Sequence, residues 1–284
     1  MKLGIVSALF SYAGLPQWEA LERISAFGIP HVDILTRYDA APSFWSDSYA
    51  ERLNAALKVG ALKPAQFLAV VPGNCASNDL NAMENHRATL IRTLEYGLQL
   101  GFRLMLFNQG NYEVGVPRTR TWDNAVGFIK DLCAWAEERD AVLSFETGPF
   151  LYRVGQDLVD ARRLLDAVGS DRLTFTMDTG HMLLSREGPE MVKEIGDSLI
   201  HLHLTDNDGM FDTNEPLGAG GVDLQSYVEA ALEAGIEANA ARHGLECVAA
   251  IEIGTPFGPS IQTPQRMLRL ATQYLREEVP ILET

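Results

Sequence analysis

The chain has 284 residues, 46% hydrophobic and 21% charged, the balance of an ordinary globular protein rather than a disordered or fibrous one. Its formal net charge of −15 leans against nucleic acid and anionic membranes as partners, since both favour a basic surface. Three widely spaced cysteines, Cys75, Cys133 and Cys247, suggest no disulfide framework and fit a reducing, cytoplasmic setting. The N-terminal apolar run is too short for a signal peptide, and no stretch approaches the ~20 apolar residues of a membrane span.

A strand over residues 3–7 leads to a loop with Phe10 and Tyr12. A helix begins near Pro16, with Trp18, Leu21 and Ile24 on one face and Gly28 as its stop. A strand over 31–35 comes next, then a long aromatic loop over 36–48 with Tyr38, Phe44 and Trp45. A helix over 49–59 stops at Gly60, a strand over 65–71 at Pro72, and a helix over 86–100 at Gly101. A strand over 102–107 opens a loop over 108–120. Thr121 is a good N-cap for a helix whose apolar face is Trp122, Ala125, Ile129, Leu132 and Ala136.

The second half repeats this rhythm. A strand ending at Glu146 precedes a helix with Leu158, Ala161, Leu165 and Val168 on one face. A strand ending at Asp178 is followed by a short helix over 190–195 and a strand ending near His203. Asp223 caps a helix that stops at Gly235, a strand ends at Glu252, and Thr263 with Pro264 opens the last helix.

Eight strand-then-helix units succeed one another with no compositional break, so residues 1–284 read as a single domain. The strands are near-continuous apolar runs, as parallel strands buried on both faces should be. The expected fold is α/β, a (β/α)8 TIM barrel. An open doubly wound sheet is the alternative, but its G-x-G-x-x-G after the first strand is missing.

Four apolar runs place an acid or imidazole late: Glu146, Asp178, His203 and Glu252. In a barrel all four would stand at the strand C-termini, where active sites lie, on four consecutive strands. Each alone is also explained as a capping carboxylate, an ion-paired carboxylate or a hydrogen-bonded core histidine. Together they point to one shared divalent ion, because burying lone charges costs several kcal/mol or more. Three carboxylates and one imidazole suit Mn²⁺ or Mg²⁺, with Co²⁺ or Zn²⁺ as alternatives. His181 could touch substrate or a second metal, and Asp206 and Asp208 could orient His203 or substrate. His201 shares a face with His203 one layer deeper and reads as support from below. Residues 217–223, Leu-Gly-Ala-Gly-Gly-Val-Asp, are too loosely spaced for a phosphate cradle and equally suit a flexible turn.

These motifs resemble the sugar phosphate isomerase/epimerase superfamily of xylose isomerase-like barrels, which includes ketose 3-epimerases, hydroxypyruvate isomerases, inosose dehydratases and endonuclease IV-type nucleases. The matching pieces are Glu146, Asp178-Thr179-Gly180-His181, His203-Leu204-Thr205-Asp206, the glycine-rich 217–223 stretch and Glu252. The resemblance implies that Glu146, Asp178, His203 and Glu252 bind one divalent metal and that His181 contacts substrate. It implies an isomerase or epimerase of a sugar or keto-polyol in carbohydrate metabolism, with Glu146 and Glu252 passing a proton through an enediolate. Substrate contacts would come from His181, Asp206 and Trp45, the last in a loop that covers the sugar. An inosose-type dehydratase would share the same first step; a nuclease or a non-catalytic sugar-binding barrel are the remaining readings. The nuclease branch adds histidines that this chain lacks: Asn108 stands where one would be expected after the fourth strand. No arginine follows His203 closely, a departure from some ketose epimerases. The resemblance leaves room for a homo-oligomer.

Overall fold

The near-continuous apolar runs form β1 (Lys2–Val6), β2 (His31–Leu35), β3 (Lys63–Ala69), β4 (Leu104–Phe107), β5 (Val142–Phe145), β6 (Leu173–Asp178), β7 (Leu199–Leu204) and β8 (Val248–Ile251). A computed structural model, which describes residues 1–36, 46–254 and 264–282, closes these strands into one parallel barrel in chain order. β1 pairs with β8, so no strand edge is left open. The expected (β/α)8 architecture is therefore the observed one. The barrel is ringed by α1 (Ala8–Tyr12), α2 (Gln17–Ser25), α3 (Asp47–Val59), α4 (Leu80–Gln99), α5 (Arg118–Glu138), α6 (Leu158–Val168), α7 (Thr179–Ser185), α8 (Leu224–Glu233), α9 (Ile236–Arg242) and α10 (Pro264–Glu278). No helix is long and apolar enough to cross a membrane among the described residues.

The helix boundaries differ from the sequence reading where a helix starts in solvent. α4 begins at Leu80, six residues before the expected start, because the Asp79 side chain accepts from the Asn81 and Ala82 amides. Its first turn is exposed, so the apolar pattern is silent there. α5 begins at Arg118 rather than after Thr121, directly behind Pro117. The Arg118 guanidinium stacks 3.7 Å from the Tyr112 ring centroid and donates to the Leu151 carbonyl. α9 was not expected: Gly235, at φ +79°, ends α8, and the chain then winds again with Ile236, Asn239 and Ala240 turned inward. Asn239 donates to the Leu199 carbonyl at 3.1 Å, tying this helix to the start of β7.

Period-two alternation decides what fills the barrel. Ser144, Thr176, His201 and Ala250 stand two residues below Glu146, Asp178, His203 and Glu252, so each expected ligand rises above an inward-facing neighbour on its own strand. The interior layer is hydrogen-bonded across strands: Gln66 Nε2 donates to Thr176 Oγ1 at 2.7 Å, and the Ser144 and Thr176 hydroxyls lie 2.6 Å apart. β2 and β3 slip register between Val32 and Ile34. Asp33 sits at that irregularity, and its Oδ1 accepts from the Gln66 amide at 2.8 Å, supplying a bond where the ladder is disrupted.

Glu187 locks the outer layer behind α7. Its Oε1 accepts from the Leu158 amide at the start of α6, and its backbone carbonyl accepts from the Tyr227 hydroxyl of α8. Oε2 is buried without a partner, and burial pushes the carboxyl from its ordinary 4.5 up to about 7. The folded state thus holds this proton more tightly than the unfolded chain. Stability attributable to Glu187 is fully present below about pH 4.5 and is lost as pH rises through about 7. Glu187→Gln keeps the acceptor and carries no charge. Denaturant titration should find it more stable than the parent at pH 8, by about 1–2 kcal/mol after allowance for solvent screening, and equal to it at pH 4. A stability difference that does not change with pH would contradict this.

Candidate functional site

The four strand-end residues converge. His203 Nδ1 lies 3.2 Å from Glu146 Oε2 and 3.1 Å from Glu252 Oε2. Asp178, His203 and Glu252 offer ligand atoms all within 4.8 Å of one another, and Glu146, Asp178 and His181 form a second such group. Asp178 does two jobs. Its Oδ1 caps α7 by accepting from the His181 amide at 2.9 Å, and the Thr205 hydroxyl donates to the same oxygen. Both bonds fall on Oδ1, which leaves Oδ2 for the cavity that Asp178 lines.

Below this group lies a fully buried Asp33. Its Oδ2 is 2.8 Å from His201 Nε2 and 3.6 Å from His203 Nε2. His203 thus turns Nδ1 to the glutamates and Nε2 toward Asp33, and Nε2 has no closer partner. The His201 and His203 rings meet edge to face, 5.5 Å between centroids. His201 therefore sits beneath the site, as the strand spacing suggests, and its partner is Asp33.

The charges perturb one another strongly. Burial alone would raise the Asp33 carboxyl, yet the His201 and His203 imidazoles outweigh it and hold it near 2. Burial would lower His203, but Glu252, Asp33 and Glu146 hold it well above the usual imidazole range. Glu252 is pushed up, first by burial and then by the neighbouring Glu146 and Asp178 charges. Asp178 is also raised, chiefly by burial. Glu146 moves down: burial opposes this, but its hydrogen bond to His203 and the His181 charge prevail.

The site opens into a cavity of about 400 Å³, within the ~300–1,000 Å³ of small-molecule sites. Glu146, Asp178, His181 and Glu252 line it, with Asn108, Gln109 and Asn214 as further polar groups and Tyr12, Leu68, Phe107 and Phe150 as apolar wall. His181 Nε2 faces Asp212 Oδ2 at 3.4 Å. Burial would lower its pKa, but Asp178, Asp212 and Glu146 hold it well above the usual range. Asp212, Arg153 and Asp33 were missed in the sequence. The first two lie in irregular loops, and Asp33 sits inside a strand without a neighbouring motif.

Asp206 takes a different place from the one expected. It is buried, and its two oxygens accept from the Gly218, Gly220 and Val222 amides at 2.9–3.0 Å and from its neighbour Asn207. The glycine-rich 217–223 stretch is thus a cradle for an internal carboxylate, and Asp206 is off the cavity wall. A Cβ on Gly220 would collide with Asp206 Oδ1 and the Asn207 carbonyl, so only glycine lets the loop close this tightly. Trp45 lies outside the described residues, as do Tyr38 and Phe44.

The donor set fits a divalent cation. Three carboxylates and an imidazole converge, and among the described residues no lysine or arginine pairs with any of them. Glu146, Asp178, His203 and Glu252 could hold such an ion, and the predominance of oxygen suits a hard metal. Asp33 would steer the imidazole from the far side. Asp33→Ala removes the buried carboxylate that faces His201 and the Nε2 side of His203 and should lower the unfolding free energy by about 3–5 kcal/mol in denaturant titration. It should also weaken Mn²⁺ binding ~10–100-fold by calorimetry, which a purely structural role of Asp33 would not do.

Residues 21–259 match the family model described as the xylose isomerase-like TIM barrel. The protein MJ1614 of Methanocaldococcus jannaschii is 22% identical over 166 residues, 54% of this chain, and the match spans 62% of that protein's length. Among solved structures, a D-tagatose 3-epimerase-like protein superposes with a TM-score of 0.79 at 18% identity, over 99% of this chain and 98% of that one. The D-psicose 3-epimerase of Clostridium cellulolyticum H10, solved with D-tagatose, gives a TM-score of 0.77 at 16% identity, over 98% of this chain and 99% of that one. At these identities the likeness is one of fold. The family match covers most of the barrel and both halves of the strand-end cluster, and the chain belongs to the xylose isomerase-like TIM barrel family.

Proposed function

We propose that this protein is a divalent-metal-dependent isomerase or epimerase of a sugar or sugar-like hydroxycarbonyl compound. The observation that carries this reading is the pair Glu146 and Glu252. Their carboxylates approach the same imidazole nitrogen, at 3.2 and 3.1 Å, from strands that are not neighbours, and both line the cavity. A carbon held between them presents one face to each.

Glu146, Asp178, His203 and Glu252 would hold the ion. When bound it supplies a positive charge that polarises carbonyl and hydroxyl oxygens. The remaining chemistry belongs to the side chains. One glutamate removes the proton next to the substrate carbonyl, giving an enediolate, and the other returns a proton to the opposite face. Tyr12, Leu68 and Phe107 supply the apolar wall against which the substrate's carbon frame would lie. His181, with Nε2 held 3.4 Å from Asp212, lines the same cavity and is the further polar group for the substrate. The fold likeness to ketose 3-epimerases supports this substrate class.

A second reading rests on His181. The same proton abstraction followed by loss of a β-hydroxyl would make the protein a dehydratase, with His181, which lines the cavity beside Asp212, as the group to protonate the leaving oxygen. Product analysis by NMR separates the two readings, because only dehydration changes the substrate's formula.

The test is a panel of ketoses, inososes and small hydroxy-keto acids with Mn²⁺, Mg²⁺ and Co²⁺, read by deuterium incorporation from D₂O. Glu146→Gln and Glu252→Gln should each lower kcat by at least ~10²-fold with less effect on KM. Gln keeps an oxygen donor, so bound metal should persist. A Gln variant with full metal and near-normal exchange would show that glutamate to be a ligand only. Separately, Mn²⁺ at a hundredfold excess over its Kd should stabilise the parent by about 2.7 kcal/mol. Asp178→Ala should abolish that increment, and an increment that survives would move the ion elsewhere.

A further inference from the structure

We propose that Arg153 forms an anion-binding subsite in the same cavity, so that the substrate carries a carboxylate or phosphate group remote from the reacting carbon. This rests on the reading of the cavity as a substrate site and deepens it by naming the substrate's charge.

Arg153 lies in the loop between β5 and α6 and lines the cavity with the strand-end glutamates. Its backbone is pinned from both sides. The Arg153 amide donates to the Phe150 carbonyl at 2.8 Å, the Val154 amide to the Gly110 carbonyl at 3.1 Å, and Arg153 bridges to Asn111. The side-chain stem runs against Gly148, where an added Cβ would meet Arg153 Nε, Cγ and Cδ. Gly148 comes two residues after Glu146, so the bare backbone there is what lets the guanidinium lie along the cavity wall.

Despite this fixed position, the guanidinium has no protein partner among the described residues. Nε is buried and makes no hydrogen bond, and among the described residues no carboxylate pairs with the guanidinium. The acid whose charge it favours, Asp212, is engaged with His181 at 3.4 Å. The other acids on the wall, Glu146, Asp178 and Glu252, are drawn together around His203. A half-buried, planar, five-donor cation without a counter-ion is the arrangement that a bidentate carboxylate or phosphate completes. A guanidinium that served only to offset the acidic wall would need no such fixed orientation and would not discriminate between charged and neutral ligands.

The experiment measures binding rather than turnover, so it does not depend on the protein being an isomerase. Calorimetry on the Mn²⁺-loaded protein would compare D-fructose, D-fructose 6-phosphate and 5-keto-D-gluconate, which separates phosphate from carboxylate. At least one anionic ketose should bind about tenfold to a hundredfold more tightly than D-fructose, the range of a charge-assisted hydrogen-bond pair. Arg153→Gln should bring that ligand to the affinity of D-fructose, and Arg153→Lys should keep part of the preference. Unchanged thermal melting and metal content would show that both variants are folded. An equal affinity for neutral and anionic ketoses, no detectable binding of either anion at millimolar concentration, or a preference that survives in Arg153→Gln would overturn the proposal. Anion selectivity without deuterium exchange would leave the subsite standing and sink the isomerase reading alone.

Discussion

Like charge crowded into a small dry space is the constraint on which the rest of this structure depends. Glu146, Asp178 and Glu252 are held close around one imidazole at the mouth of a barrel. Burial first, and then their mutual repulsion, raises the Glu252 and Asp178 carboxyls. Two devices oppose this. From above, the Thr205 hydroxyl and the His181 amide both hold Asp178 Oδ1. From below, Asp33 faces His201 and His203, keeping the imidazoles oriented under the cluster. A cation at the centre removes the repulsion at its source, so ion binding and fold stability are coupled through the same atoms.

The loop after β7 shows how a second, separate carboxylate serves the site without entering it. Asp206 gathers the amides of Gly218, Gly220 and Val222, which folds the 206–222 segment back on its own start. The Glu215 amide closes the same loop on the Asp206 carbonyl at 2.7 Å, and the Gly254 amide joins the Asn214 carbonyl to the end of β8. Asp212 and Asn214 are thereby carried over the cavity. Four charge-assisted bonds to one buried carboxylate make this loop rigid enough to present Asp212 to His181.

Much of the strand-end cluster was legible in the sequence because two periodicities overlap there. Apolar runs located the strands, and an acid or imidazole at the end of each located the barrel mouth, so Glu146, Asp178, His203 and Glu252 could be placed on consecutive strands. The Asp33 contact was not legible, because it depends on a register slip between β2 and β3 that no pattern in either strand records. Asp206 is legible in the sequence only by its place just past a strand end and in the motif it shares with His203. Its partner amides sit twelve to sixteen residues on, in a stretch whose spacing resembles a flexible turn. Arg153 and Asp212 come from loops, where burial and direction are set by tertiary contacts rather than by any repeat.

This division of labour has a physical basis. The separation of Glu146 from Glu252 is set by the barrel itself, since β5 to β8 are joined by parallel ladders, with one register shift between β6 and β7. On the proposed reading, two carboxylates that exchange protons with one substrate carbon would tolerate little error in that distance, which the strand ends supply. On the same reading, the part of the substrate away from the reacting carbon would make a looser demand. Arg153, Asp212 and Asn214, which line the cavity from loops, would meet it. A change in the length or charge of the substrate can then be met by changing a loop, while the glutamates, Asp33 and the two imidazoles keep their places on the strands.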